Sequence, residues 1–261
     1  MLAKESRVEA GSASKAPSVQ AQPNGVAALA APALRRRGLD RTPLGVRADA
    51  VAKRGVDIII SVVALVVLAP LILLVALLVR LDSHGPAFFA TPRVGHRGRD
   101  LLMLKFRKMH DRAHGIPLTV DDDSRFTRVG AILARFKLDE LPQFWHVLRG
   151  EMSLVGPRPE TVDFVGHHRE AYHEILAVRP GVFGFSQIAF VAEGRILDDD
   201  DPMSHYIADI LPQKVKLDLM YARDRTLTLD LRIVFWSLVA VLLRRQVAVN
   251  RQNGRMNLRR R

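Results

Sequence analysis

The sequence predicts an α+β fold: a membrane-embedded re-entrant helix hairpin, followed by a small, mainly helical cytoplasmic domain with short strands. Three observations carry this. From Ile58 to Val79 there are 22 consecutive residues without a charge, enough to cross a bilayer core of about 30 Å at about 1.5 Å rise per residue. Pro70 divides that run near its middle, where it removes a backbone donor and clashes with the preceding turn. Beyond the run, short strand-like stretches give way to segments with apolar residues at helical spacing.

The chain has 261 residues and no cysteine, which excludes disulfides and thiolate metal sites and fits a reducing compartment. Its formal charge of +12 is unevenly spread. Residues 1–54 hold ten Lys/Arg against four Asp/Glu, and residues 244–261 hold seven Arg and no acid, so the chain between them is close to neutral. Basic tails of this kind meet nucleic acid or an anionic membrane surface. Lys53-Arg54 leads directly into the apolar run, which favours the membrane bilayer as partner and gives no reason to expect nucleic acid. The position of the run past residue 55, its length and the lack of a cleavage pattern separate it from a secretory signal.

Positive residues stand at both ends of the run: Lys53 and Arg54 before it, Arg80, Arg93, Arg97 and Arg99 after it. The positive-inside rule then gives a spanning helix no orientation, whereas a break at Pro70 returns both ends to one face. A kinked spanning helix is the alternative these clues leave open.

Residues 1–50, rich in Ala, Ser, Pro, Gly and Arg, read as a disordered basic tail. The hairpin takes 51–82, a cytoplasmic domain 83–245, and a basic C-terminal tail 246–261. Residues 84–109 read as turn, strand, Gly-bearing turn, strand, and Asp111–Arg125 as a polar loop. Val129, Ile132, Leu133 and Phe136 recur at helical spacing behind Thr127 as cap. A second helix begins near Asp139, with Leu141, Trp145 and Leu148 on its inner face and Gly150 just past its end. Gly156–Pro159 is a rigid loop, and Pro180-Gly181 stops the helix that follows it. Residues 182–205 are loop-rich, with the acidic run Asp198–Asp201. Tyr206–Tyr221 reads as a helix lying partly on a surface. Thr226–Gln246 is too short for a span and suits interfacial docking or core packing.

Two acids stand side by side at Asp139-Glu140, ahead of Pro142. One reading is a helix start, in which the aspartate accepts orphan backbone N–H groups. The other begins from the same geometry. A carboxylate at a helix N-terminus stays ionised, and can attack phosphorus or hold a divalent cation. The adjacent glutamate can handle metal or protons.

Cationic partners are at hand. Lys105, Arg107 and Lys108 surround Phe106, and on a strand Lys105 and Arg107 project to one face. Arg158 is held between two prolines that pre-place its fork for a phosphate. Arg179 precedes Pro180-Gly181 in a similarly restrained position. Each alone reads as a solvated basic residue. With the carboxylate pair they suggest phosphoryl transfer, which depends on positioning and on charge neutralisation with Mg²⁺. The familiar Gly-rich nucleotide cradles, zinc spacings and calcium loops are absent from the sequence.

Taken in order, KRGVDII, GPAFFATPRVGHRGRDLLMLKFRKM, SRFTRVGAILARFKLDELPQFWHVLRGEMSLVGPRPE, VRPGVFGFSQI and YARDRTLTLDLRI resemble the bacterial sugar transferases. These are polyprenyl-phosphate hexose-1-phosphate transferases, the monotopic phosphoglycosyl transferases, and the resemblance runs from about Lys53 to Leu243. It implies transfer of a sugar-1-phosphate from a UDP-sugar to undecaprenyl phosphate, the first membrane step of exopolysaccharide, capsule or O-antigen type glycan synthesis. It implies a place at the cytoplasmic face of the bacterial inner membrane, a re-entrant hairpin, and Mg²⁺ with Asp139 and Glu140 as its ligands. It also implies that Asp139 is the nucleophile of a covalent phosphosugar-enzyme intermediate. Lys105, Arg158 and Arg179 fall on the family's basic active-site positions. Arg107 joins them as a phosphate-binding candidate through its place on the strand.

The chain departs from the family pattern in several places. Five residues before the dyad aspartate the family usually has arginine; here the position is Ala134, with Arg135 beside it as a substitute phosphate contact. The break carries Ala69-Pro70 where Ser-Pro is common. Residues 188–205 are longer than usual and carry EGRILDDDD, and no multi-span region is expected before the hairpin, a short form. Ala134 motivates a rival reading, a catalytically impaired membrane-anchored scaffold of a polysaccharide assembly complex. The sugar is not legible, and an oligomer is compatible with the sequence.

Overall fold

A computed structural model describes residues 43–259 apart from 112, 114, 117, 121, 122, 198, 199 and 244. Most of the tail expected over 1–50 lies outside the described residues. The apolar run forms a single helix, α1 (Pro43–Asp82), which starts ahead of the boundary expected at residue 51 and carries Pro70 inside without ending there. It is long and apolar enough to cross a membrane. Asp57, Ser61, Leu65, Leu68, Ile72, Val75 and Val79 recur along it at helical spacing and pack on the rest of the protein. The opposite face is apolar too, and exposed: Ile59, Val63, Val67, Leu74, Leu77 and Leu81.

Both ends of α1 are tied to the folded body. Near its start, Lys53 Nζ lies 2.6 Å from Asp230 Oδ2 and 3.7 Å from Asp57 Oδ1. Asp57 in turn accepts from the Ser153 hydroxyl at 2.8 Å and the Leu154 N–H at 3.2 Å. Arg54 donates to the carbonyls of Val147 and Leu148 at 2.6 and 2.8 Å. At the other end, Asp82 accepts from the Val129 N–H at 2.9 Å.

Strands β1 (Phe88–Val94) and β2 (Asp100–Phe106) pair antiparallel, from Phe88↔Phe106 to Val94↔Asp100, as the strand, Gly-bearing turn, strand reading predicts. Helix α2 (Arg128–Phe136) is capped by Thr127, whose hydroxyl accepts from the Gly130 N–H at 2.9 Å. Gly130 allows the helix start to rest on the exit of β2, since a Cβ there would fall 1.8 Å from the Lys108 carbonyl oxygen. Lys137 turns the chain through a left-handed conformation (φ 55°) into a 3₁₀ turn, Leu138–Glu140. Only then does α3 (Gln143–Arg149) begin, ending at Gly150 as expected. That offset rotates the inner face. Phe144, His146 and Val147 are buried, whereas Trp145, expected inside, is 48% exposed.

Strand β3 (Ser153–Val155) pairs in parallel with β4 (Gly181–Phe183), across a crossover made of α4 (Val162–His167) and α5 (Arg169–Ile175). The single helix expected here breaks at His168. Four more helices follow: α6 (Phe185–Ala189), α7 (Pro202–His205), α8 (Leu211–Asp224) and α9 (Leu227–Leu242). Helix α8, expected partly on a surface, buries Leu211, Val215, Leu217, Tyr221 and Ala222, because it fills the space between the crossover and α6. Helix α9 packs through Ile233, Ser237 and Ala240. The stretch expected as a C-terminal tail is instead largely a folded hairpin, β5 (Val247–Val249) with β6 (Met256–Leu258). Val247 and Met256 join the apolar core that contains Phe185 and Tyr221.

Candidate active site

Asp139 and Glu140 lie in the 3₁₀ turn between α2 and α3. Three residues per turn send consecutive side chains about 120° apart, so the two carboxylates diverge and meet different partners. Asp139 points inward, 2% exposed, with Oδ2 3.8 Å from Lys108 Nζ. Its Oδ1 is buried and has no hydrogen-bond partner among the described residues. The helix-start reading therefore fails: the residue ahead of α3 is Pro142, with no side-chain cap, and Asp139 caps nothing. An unpaired buried oxygen costs about 1–3 kcal/mol or more, and native proteins leave few of them.

Glu140 is the opposite case. Its Oε1 accepts from Lys105 Nζ and Arg158 Nη2, each at 2.9 Å. Burial alone would lift its pKa; the Arg158 and Lys105 charges outweigh that and hold the carboxyl well below the ordinary glutamate range. The same pair works in reverse on Arg158, where the Glu140 carboxylate keeps the guanidinium protonated against burial. Lys108 differs again. Burial pushes its ammonium below the ordinary lysine range, and Asp139 offsets this only in part. Its Nζ also lies 5.5 Å from the centre of the Phe126 ring.

Arg158 is placed by two loops that touch backbone to backbone. A Cβ on Gly156 would lie 2.3 Å from the Arg179 carbonyl oxygen, and one on Gly181 would lie 2.0 Å from the Gly156 nitrogen. The loops are bonded there, Gly181 N–H to the Pro157 carbonyl at 2.8 Å and Gly156 N–H to the Phe183 carbonyl at 2.9 Å. Behind Arg158 a second charged layer is buried. Lys214 Nζ lies 3.1 Å from Glu160 and 3.2 Å from Glu193, and donates to the Tyr206 hydroxyl at 2.8 Å. Burial would raise the Glu160 pKa, but Lys214, Arg158 and Arg93 together bring it below the usual value.

Of the residues singled out from the sequence, Asp139, Glu140, Lys105 and Arg158 come together. Arg107 goes elsewhere. It is buried, and its guanidinium donates to the carbonyls of Ser83 and Gly85 at 2.8 and 3.3 Å, and to that of His84, closing the end of α1. Strand β2 stops at Phe106, so the alternation that paired Arg107 with Lys105 stops with it, and Lys108 turns to Asp139 instead. Arg179 is exposed and donates through Nε to the Gly150 carbonyl at 3.0 Å. Arg135 is exposed on α2, with no ion pair to either carboxylate. Sequence reasoning missed the Glu160, Glu193, Lys214 layer, which joins residues from three distant segments and has no local signature.

The arrangement sets a buried carboxylate with an unpartnered oxygen beside Lys108, next to a glutamate that gathers Lys105 and Arg158. It suits binding of a phosphorylated ligand and attack on its phosphorus. The sequence model described as bacterial sugar transferase matches residues 48–244. A UDP-N-acetylgalactosamine-undecaprenyl-phosphate N-acetylgalactosaminephosphotransferase of Aeromonas hydrophila is 40% identical over 195 residues, 73% of this chain and 43% of that protein. An undecaprenyl-phosphate glucose phosphotransferase of Komagataeibacter xylinus is also 40% identical, over 76% of this chain and 37% of its own length. This chain thus spans less than half of either relative. An exopolysaccharide production protein of Rhizobium leguminosarum bv. phaseoli is 38% identical over 75% of this chain and 98% of its own. With the motifs in one order, the charged cluster they build and a family match over most of its length, this chain belongs to the bacterial sugar transferase family.

Proposed function

We propose that the chain transfers a sugar-1-phosphate from a UDP-sugar to undecaprenyl phosphate, with Asp139 as the nucleophile. The observation that carries this reading is the Asp139 carboxylate, buried 3.8 Å from Lys108 Nζ with Oδ1 left without a hydrogen-bond partner among the described residues, while its neighbour Glu140 gathers Lys105 and Arg158. The relatives' names supply the substrate class. In the first step an Asp139 oxygen bonds to the β-phosphorus. The bond from that phosphorus to the bridging oxygen breaks, and UMP leaves with the oxygen and its electron pair. In the second step a phosphate oxygen of undecaprenyl phosphate attacks the same phosphorus. The bond to Asp139 breaks and the carboxylate returns. Lys105 and Arg158, aligned by Glu140, offset the charge on the transferring phosphoryl group, and Lys108 faces the nucleophile.

Mg²⁺ fits this donor set. The ion is held by one or two carboxylates plus substrate phosphates rather than by an all-protein cage, and no cluster of three or more His/Cys/Asp/Glu ligands occurs among the described residues. Asp139 would hold it through the unpartnered Oδ1, Glu140 joining only on leaving Lys105 and Arg158, and when bound it would add charge neutralisation at the phosphoryl group. Helix α1 is read as re-entrant, entering and leaving the cytoplasmic face of the inner membrane about Pro70. This is supported by the packing stripe on both sides of Pro70 and by the ties at Arg54 and Asp82 to one folded body. Drawn straight, those two residues would lie about 42 Å apart.

Incubation with UDP-sugars labelled in the sugar and its phosphate, without lipid acceptor, tests the mechanism. Label bound to the protein, with UMP released in equal amount, is the expected result. Lipid-dependent transfer with no such label would replace the covalent route by direct transfer. No UMP release from any UDP-sugar, with lipid present, would favour the scaffold reading that Ala134 motivates.

A further inference from the structure

The folded C-terminal hairpin lies beyond residue 244, where the family match ends, and it is built around unpaired positive charge. From Leu231 to Arg261 the chain has eight arginines and no acid. In the hairpin register Val249 faces Met256 and Ala248 faces Asn257. Val247 and Met256 turn inward and are buried, and backbone bonds from Asn250 N–H to the Arg255 carbonyl and from Arg259 N–H to the Gln246 carbonyl carry the pairing one residue past each end of β6, so the exposed Arg255 and Arg259 flank Asn257 on the outer side. Arg245, Arg251, Arg255 and Arg259 are all exposed. Among the described residues none of them has a carboxylate partner; Arg251 and Arg259 reach only the neutral side chains of Gln213 and Gln246.

This charge follows directly on an apolar surface. Leu227, Leu231, Phe235, Leu238 and Leu242 are exposed on one side of α9 at helical spacing, and Leu243 extends the stripe to the hairpin base. The start of the stripe is continuous with α1, because Ile60 of α1 lines a small crevice together with Leu227 and Leu231.

We propose that the hairpin and the α9 stripe form a second membrane foot, in which the outward arginines bind the headgroups of anionic phospholipids. The inference rests on the reading of α1 as a membrane element. An apolar stripe ending in a cluster of arginines matches the acyl-to-headgroup boundary of a bilayer, and a nucleic acid would find no use for the leucines. Each arginine near an anionic surface contributes about fivefold to partitioning.

The chain has no cysteine, so Asn257→Cys in the full chain provides a single site for a fluorophore on the outer face. The labelled protein is reconstituted in phosphatidylcholine vesicles with or without phosphatidylglycerol, each carrying a headgroup-attached quencher. Expected are flotation with both vesicle types and strong quenching only with phosphatidylglycerol. The docking constant read from quenching against phosphatidylglycerol content should fall about 25-fold in R255Q/R259Q, and the quenching should be released by salt near 1 M, where the screening length drops to about 3 Å. Flotation without quenching, or equal quenching in phosphatidylcholine alone, overturns the inference and leaves the α1 reading intact. Failure to float with either vesicle overturns both. Arginine-dependent binding of duplex DNA that displaces the vesicle signal would assign the face to nucleic acid instead.

Discussion

Two charged clusters, one at the root of the long helix and one in the pocket, are built by opposite rules. At the root, Asp57 and Asp230 are nearly buried and every carboxylate oxygen has a partner: Ser153, Leu154, Lys53 and the Tyr221 hydroxyl. In the second cluster, Asp139 is buried to the same degree, yet one of its oxygens has no partner among the described residues. A charge satisfied by the protein holds structure together, whereas a charge left open is free for a ligand. Glu140 sits between these extremes, satisfied by two cations that the ligand also needs.

The largest expected effect comes from Asp139→Asn, which should lower transfer by about 10³-fold or more while leaving the melting temperature unchanged or raised. A measured loss of stability without loss of turnover would turn Asp139 into a structural residue and erase the contrast. Asp57→Asn should do the reverse. It removes an acceptor and weakens an ion pair, at a cost of about 2–3 kcal/mol because Lys53 keeps some solvent, or roughly 4–12 °C in Tm. Turnover per folded molecule should hardly change, as thermal melts and initial rates on the same preparation can show.

A pH profile sharpens the comparison within the pocket. Burial lowers the Lys108 pKa from its ordinary 10.5. As pH rises through the lowered value the ammonium is lost and Asp139 loses its countercharge, so the alkaline limb of kcat/KM should fall below 10.5. Lys108→Arg should move that limb upward; a limb that stays put removes Lys108 from the site. The smallest effect is expected from Arg135→Ala, with rates within about twofold and stability within about 0.5 kcal/mol. A large rise in KM for the UDP-sugar would instead restore Arg135 as the substitute for the arginine missing at Ala134.

Much of the fold was legible because its signals are local. The hydroxyl of Thr127, the αL exit at Gly150 and the Gly-bearing turn between two strands each act over a few residues, and each appears where expected. Errors arose where a local rule was extended past the end of its element. Alternation assigned Arg107 to the pocket, but the strand ends one residue earlier. Helical periodicity placed Trp145 inside, but a 3₁₀ turn delays α3 and rotates it. Charge counting made the C-terminus a tail, because a small number of apolar residues among arginines gives no pattern until a core exists to receive them.

By itself, then, the sequence determined the apolar helix, the adjacent acid pair Asp139-Glu140, and a set of candidate cations wider than the ones that meet it. These follow from composition, spacing and backbone chemistry within short windows. Tertiary structure alone decided which carboxylate would be satisfied and which left open. That depends on where Lys108, Lys105 and Arg158 arrive from separate segments once Gly130, Gly156 and Gly181 let those backbones close to contact.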